Sequence, residues 1–150
     1  MTNTNATDLS GTFPEAVKRE INKSYTEISA IAEIMDLLCL TIEAKEHLTR
    51  PFNVTMIESA TLTMRDLSRE LLDKITRNIA FMGDASHQIS LNAASLLRNL
   101  ELFFIVISAS ENDELQQPLS PPFLLSHLTN LNDISGQLLE DFPFFCDVEA

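Results

Sequence analysis

Asp84-Ala-Ser-His87 is the stretch of this chain nearest to a reactive motif. An acid and a histidine three residues apart share a helix face, which is the spacing of a ligand pair in carboxylate-bridged di-iron bundles. Such a centre also needs inward glutamates from facing helices, and the sequence offers none at matching positions. Glu43 and His47 share a face at i, i+4, but no third or fourth ligand accompanies them. Cys39 and Cys146 are 107 positions apart and have no metal-type spacing. We therefore expect no metal and no cofactor, and read these acids and histidines as solvated helix faces. Three histidines exist, His47, His87 and His127, but no G-x-S-x-G, P-loop or C-x-x-C frames a nucleophile. Catalytic groups usually sit on loops over a rigid scaffold, and most of the turns here are short. The expectation is a chain that is not an enzyme.

His87 carries one further reading. It lies one turn into a helix of an acidic helical chain, in Asp84-Ala-Ser-His-Gln-Ile-Ser-Leu-Asn-Ala. That placement resembles histidine phosphotransfer proteins and kinase dimerisation domains, and the resemblance covers about ten residues. It implies His87 as a phosphoryl acceptor. The sequence departs from those families after the histidine, where Gln88 follows, and it has no Lys-Gly pair downstream.

The elements that would position these groups are helices. Thr12-Phe-Pro-Glu15 reads as a capping box with Pro14 in the first turn. Val17, Ile21, Ile28, Ile31, Met35, Leu38 and Ile42 then recur at three- and four-residue steps, which predicts a first helix over 13–48. Ile34, Leu37 and Leu40 widen its apolar face, so its C-terminal half should be the more deeply buried. Arg50-Pro51-Phe52 breaks the pattern. Thr55-Met-Ile-Glu58 reads as a second capping box, opening a helix over 54–82 that Gly83 ends. Asp84 is placed to cap a third helix over 85–110. A polar and proline-rich connection, 111–122, leads to a fourth helix over 121–141, opened by Ser120 and Pro121. The expected fold class is all-α: an up-and-down antiparallel bundle of about four helices. Residues 1–11 read as a disordered arm, 12–141 as one domain and 142–150 as an aromatic, acidic tail.

Length and composition agree with one domain, since 150 residues can bury most of their apolar surface. The net charge is −12 and is unevenly spread. All ten bases lie between Lys18 and Arg98, and residues 99–150 carry nine acids and no base. Such a balance repels nucleic-acid phosphates and anionic lipid, so direct nucleic-acid or membrane binding is not expected. A basic protein is the natural complement. The N-terminus has no basic or apolar region of a signal peptide, and no apolar run approaches the ~20 residues of a span. A cytoplasmic protein is the expectation. On the second helix, Arg65, Arg69, Lys74 and Arg77 alternate with Glu58, Asp66, Glu70 and Asp73, which suggests pairing within the helix. The alternative is a docking stripe for acids elsewhere in the chain or in a second copy.

Two apolar segments resist burial in a single small bundle. Phe103, Phe104, Ile105, Val106 and Ile107 surround the end of the third helix. A helix apolar all round must be covered all round, so these residues are candidate contacts in a homo-oligomer, most simply a homodimer. Phe142, Phe144 and Phe145 make the tail costly to expose, so it should dock on the third or fourth helix or on a partner. The combined expectation is a non-catalytic acidic interaction module that binds and neutralises, or chaperones, a partner protein, plausibly basic. That is the manner of immunity proteins, inhibitors and chaperones. Two alternatives stand beside it: a nucleic-acid mimic inhibiting a DNA-binding protein, and a phosphotransfer or small catalytic domain using His87.

Overall fold

The computed structural model describes residues 13–44, 54–112, 114–115 and 119–148. Within them the chain is all-α, with helices α1 (Glu15–Glu43), α2 (Val54–Asn78), α3 (Ser86–Glu111) and α4 (Pro121–Asp141). The expected arm over 1–11, Thr12, the end of the first helix over 45–48, His47 and the break at Arg50-Pro51-Phe52 lie outside the described residues.

Each helix packs on two neighbours in the cyclic order α1, α2, α3, α4. Side-chain pairs fix the directions. Lys74 bonds Glu27 and Asn78 bonds Glu20, so α2 runs against α1. Arg69 bonds Glu101 and Thr55 bonds Glu111, so α3 runs against α2. Asn132 bonds Asp36 while the chain beyond α4 reaches Asn22, so α4 runs against α1. The α1 and α3 helices are therefore parallel, on opposite corners. Their buried faces are Ile21, Ile28, Ile31, Met35 and Ile42 on α1, at the expected periodic positions, and Ile89, Ala93, Leu96, Leu100, Phe103 and Ile107 on α3.

The helix ends depart from expectation in detail. Pro14 precedes α1 with no side-chain cap, and Glu15 pairs with Arg19 one turn on. Thr55 and Glu58 sit inside α2 and do not form a capping box. The Thr55 hydroxyl donates to Glu111, and Glu58 accepts from Ser108, so both tie α2 to the end of α3. After Asn78 the chain tightens into a 3₁₀ turn, Ile79–Phe81, rather than continuing as α-helix to 82. Gly83, at φ +72°, makes the turn, as its lack of a Cβ allows. Asp84 lies in a second 3₁₀ turn and does not cap α3, whose cap position is Ala85. Ser120 does cap α4, its hydroxyl accepting from the Phe123 amide at 3.3 Å.

The larger correction concerns α1. Its C-terminal half is not the more deeply buried one: Leu37 is 64% exposed and Leu40 63%, while Lys18, Asn22 and Ser24 are buried in the N-terminal half. The tail is the cause. Residues 142–148 run on in the direction of α4, along the outer side of α1 towards its N-terminus. The Asn22 amide donates to the Phe145 carbonyl and accepts from the Phe145 amide, both at 2.8 Å. Lys18 bonds Asp147, the Phe145 ring meets Phe13, and Phe144 lies against Tyr25. Asn22 and Leu40 are eighteen positions apart, about five turns at ~3.6 residues per turn, so they lie on one stripe. Residues 144–147 cover the first half of that stripe and run away from the second.

Candidate interaction surfaces

Two solvent-facing ridges follow from this packing. On α1, Glu33, Asp36, Leu37, Leu40 and Glu43 are all exposed and all turned away from the core. No base occurs on α1 after Lys23, and none on α4, which adds exposed Asp133 and Glu140 to the neighbouring corner. The ridge is thus a pair of bare leucines bracketed by carboxylates.

On the opposite corner, α3 shows Leu91, Arg98, Leu102 and Ile105 to solvent, opposite its core face. Leu102 and Ile105 are 62% and 61% exposed. Beside them α2 contributes Arg65 and Arg69, and the two helices enclose an open groove of about 500 Å³. The Arg65 guanidinium lies 4.7 Å from the centre of the Phe104 ring, which holds both side chains in the groove wall. Arg69 pairs with Glu101 at 2.8 Å, and Arg65 with Asp66 at 3.3 Å. Arg98 has no ion-pair partner among the described residues. Asp66 and Glu101 each answer one of the three guanidiniums, which leaves Arg98 as the uncompensated charge of the groove on a chain of net charge −12.

The bases of α2 mostly bridge helices instead of pairing along their own. Lys74 reaches both oxygens of Glu27 at 2.8 Å, with both side chains nearly buried. Arg77 pairs with Glu20 across the same interface. The Asn78 amide, which bonds Glu20 at 2.6 Å, holds the Glu20 carboxyl below its ordinary range, and Arg77 adds to that. Where α2 meets the end of α3, Glu58 and Glu111 share a hydrogen bond. It holds Glu58 below the usual carboxylate range and pushes Glu111 above it.

The residues marked from sequence as interaction candidates divide. Phe103, Ile107, Phe142 and Phe145 are core, and Phe104 and Val106 are half-buried. Ile105 and Phe144 remain at the surface. Sequence reasoning missed Lys18 and Asn22, which hold the tail, because their contacts are more than 120 residues away. It also passed over Arg98, although the 7-4-3 spacing of Leu91, Arg98, Leu102 and Ile105 marks one helical stripe.

Among the described residues no group of three or more His, Cys, Asp or Glu could hold a metal. His87 is exposed in the first turn of α3, and His127 stacks on Phe103 with Phe123 tilted against it. Both cysteines are free. Burial pushes the Cys39 thiol up, and Asp36 and Glu43 add to that. One segment, Gly83–Glu111, is long and apolar enough to cross a membrane by length and composition, which the sequence reading had not anticipated. Six of its residues nonetheless form the core face of α3. The chain matches no protein-family model, no curated protein and no solved structure.

Proposed function

We propose that this chain is a non-catalytic interaction module that captures, and so neutralises or chaperones, a partner protein with a basic, amphipathic surface. The observation that carries the reading is the α1 ridge. Leu37 and Leu40 are each more than 60% exposed, with Glu33, Asp36 and Glu43 around them and no base on the same half of the helix. Exposed apolar groups rimmed by charge mark recognition surfaces. The carboxylates steer a basic partner in and the leucines hold it, so charge sets the encounter rate and burial sets the residence time. Leucines amid the acids favour a protein with apolar knobs over mimicry of a phosphate backbone, which has none.

A fluorescent amphipathic helical peptide with leucines at i, i+3 flanked by lysines is the direct probe. Binding measured by anisotropy is expected, and Leu37→Ser with Leu40→Ser should weaken it at least tenfold. Binding that ignores both the leucine pair and Glu33→Gln/Asp36→Asn/Glu43→Gln contradicts the reading.

A further inference from the structure

We propose that the chain self-associates head to tail, the acidic leucine ridge of α1 on one copy seating against the arginine groove of α2 and α3 on the next. The two surfaces match in register as well as in charge. On α1 the series is Glu33, Leu37, Leu40; on α3 it is Arg98, Leu102, Ile105. Both have steps of four and three, so each places one charge a turn before an exposed apolar pair. Laid parallel, the helices set Glu33 against Arg98, Leu37 against Leu102 and Leu40 against Ile105. The bundle supplies that parallel orientation, because α1 and α3 run the same way on opposite corners. A second copy shifted sideways brings its α1 alongside α3 without turning over.

The heights differ by less than one helical turn. The Glu27–Lys74 and Arg69–Glu101 pairs link the three helices and set Leu37 about level with Ile105. The match therefore needs an axial offset of about three residues, ~4.5 Å. Arg98, without an ion-pair partner among the described residues, gains one. Asp36 and Glu43 bring further negative charge to Arg65 and Arg69. Because the two faces differ and point opposite ways, the contact is heterologous and propagates as a row of copies. The proposal rests on the partner-capture reading to the extent that both use the α1 ridge, so self-association and capture compete.

Sedimentation velocity on the full chain, across protein and salt concentration, tests it. Association that rises with concentration and weakens with salt is expected. Arg98→Glu and Glu33→Arg, both exposed and checked for folding by circular dichroism, should each raise the apparent Kd of self-association at least tenfold. The double variant, and an equimolar mixture of the two single variants, should recover it, since each restores an opposite-charge contact. A monomer at all concentrations, or association indifferent to both single variants, overturns the proposal. So does a monomer that floats with phosphatidylcholine vesicles through α3, because the apolar stripe would then serve a membrane. Arg98→Glu should leave capture of the lysine–leucine peptide intact. A monomeric chain that still binds the peptide defeats self-association alone, and charge-swap rescue without peptide binding defeats partner capture alone.

Discussion

Asn22 is the residue on which the tail depends. It is fully buried, and its amide satisfies both the N–H and the C=O of Phe145. Asn22→Ala leaves two backbone groups without partners and should cost about 2–4 kcal/mol in urea denaturation. Phe145→Ala should cost about 3 kcal/mol by emptying its place against Phe13. The two losses should sum to more than the double variant shows, because either one frees the same segment. Asp147 adds a pH dependence. The hydrogen bond from Lys18 holds its carboxyl below the ordinary range. A lowered folded pKa contributes stability that is present above the unfolded value and lost as pH falls through the folded one. The tail should therefore loosen below about pH 4. Amide exchange over 144–148 reads this directly, and Asp147→Asn should lower protection there already at pH 7.

At the scale of helices, the α2–α3 contact is held by the Arg69–Glu101 pair and, towards the end of α3, by the Thr55–Glu111 and Ser108–Glu58 hydrogen bonds. Glu111 has its carboxyl raised by the bond to Glu58, so its protonated form belongs to the folded state. The sign is opposite to that of Asp147: this contribution is present at low pH and lost as pH rises through the folded pKa. Glu111→Gln keeps an acceptor for Thr55 and offers Glu58 a permanent donor. It should raise the melting temperature at pH 7 and leave it unchanged at pH 4. A fall at pH 7 would show that the pair is not held together by that proton. The α1 helix shows how far helical period carries. Its core face was legible as Ile21, Ile28, Ile31, Met35 and Ile42. The same period could not say which end of its outer stripe would be covered. That depended on which way residues 142–148 run along it.

Across the whole molecule, charge is sorted by corner. The α1–α4 side bears carboxylates from Glu33 to Glu43 with Asp133 and Glu140, while Arg65, Arg69 and Arg98 gather between α2 and α3. Screening acts on such exposed charges over about 10 Å at 0.1 M salt. Peptide capture on the α1 ridge should therefore weaken as sodium chloride is raised from about 20 to 500 mM, mainly through the association rate. Stopped-flow anisotropy separates that rate from dissociation. A loss confined to dissociation would mean that the carboxylates do not steer the encounter.

Local sequence determined the helices among the described residues: the core face of α1, the Gly83 turn, and α4 from its Ser120 cap to Asp141. Each rests on neighbours within four positions, where period, proline and cap chemistry act directly. The net acidity and the absence of bases after Arg98 were equally plain. Tertiary structure alone decided what the helices do with their remaining surface. Thr55, Glu58 and Asp84 have the chemistry of caps, yet the first two are spent on α3 and the third lies in a 3₁₀ turn. Phe103 and Ile105 look alike in sequence, but one is core and the other is bare. Lys18, Asn22 and Arg98 acquire their places from residues that only the fold brings near. Helical period reports which side of a helix is apolar, but coverage of its outer side depends on contacts more than a hundred residues apart, which no local pattern encodes.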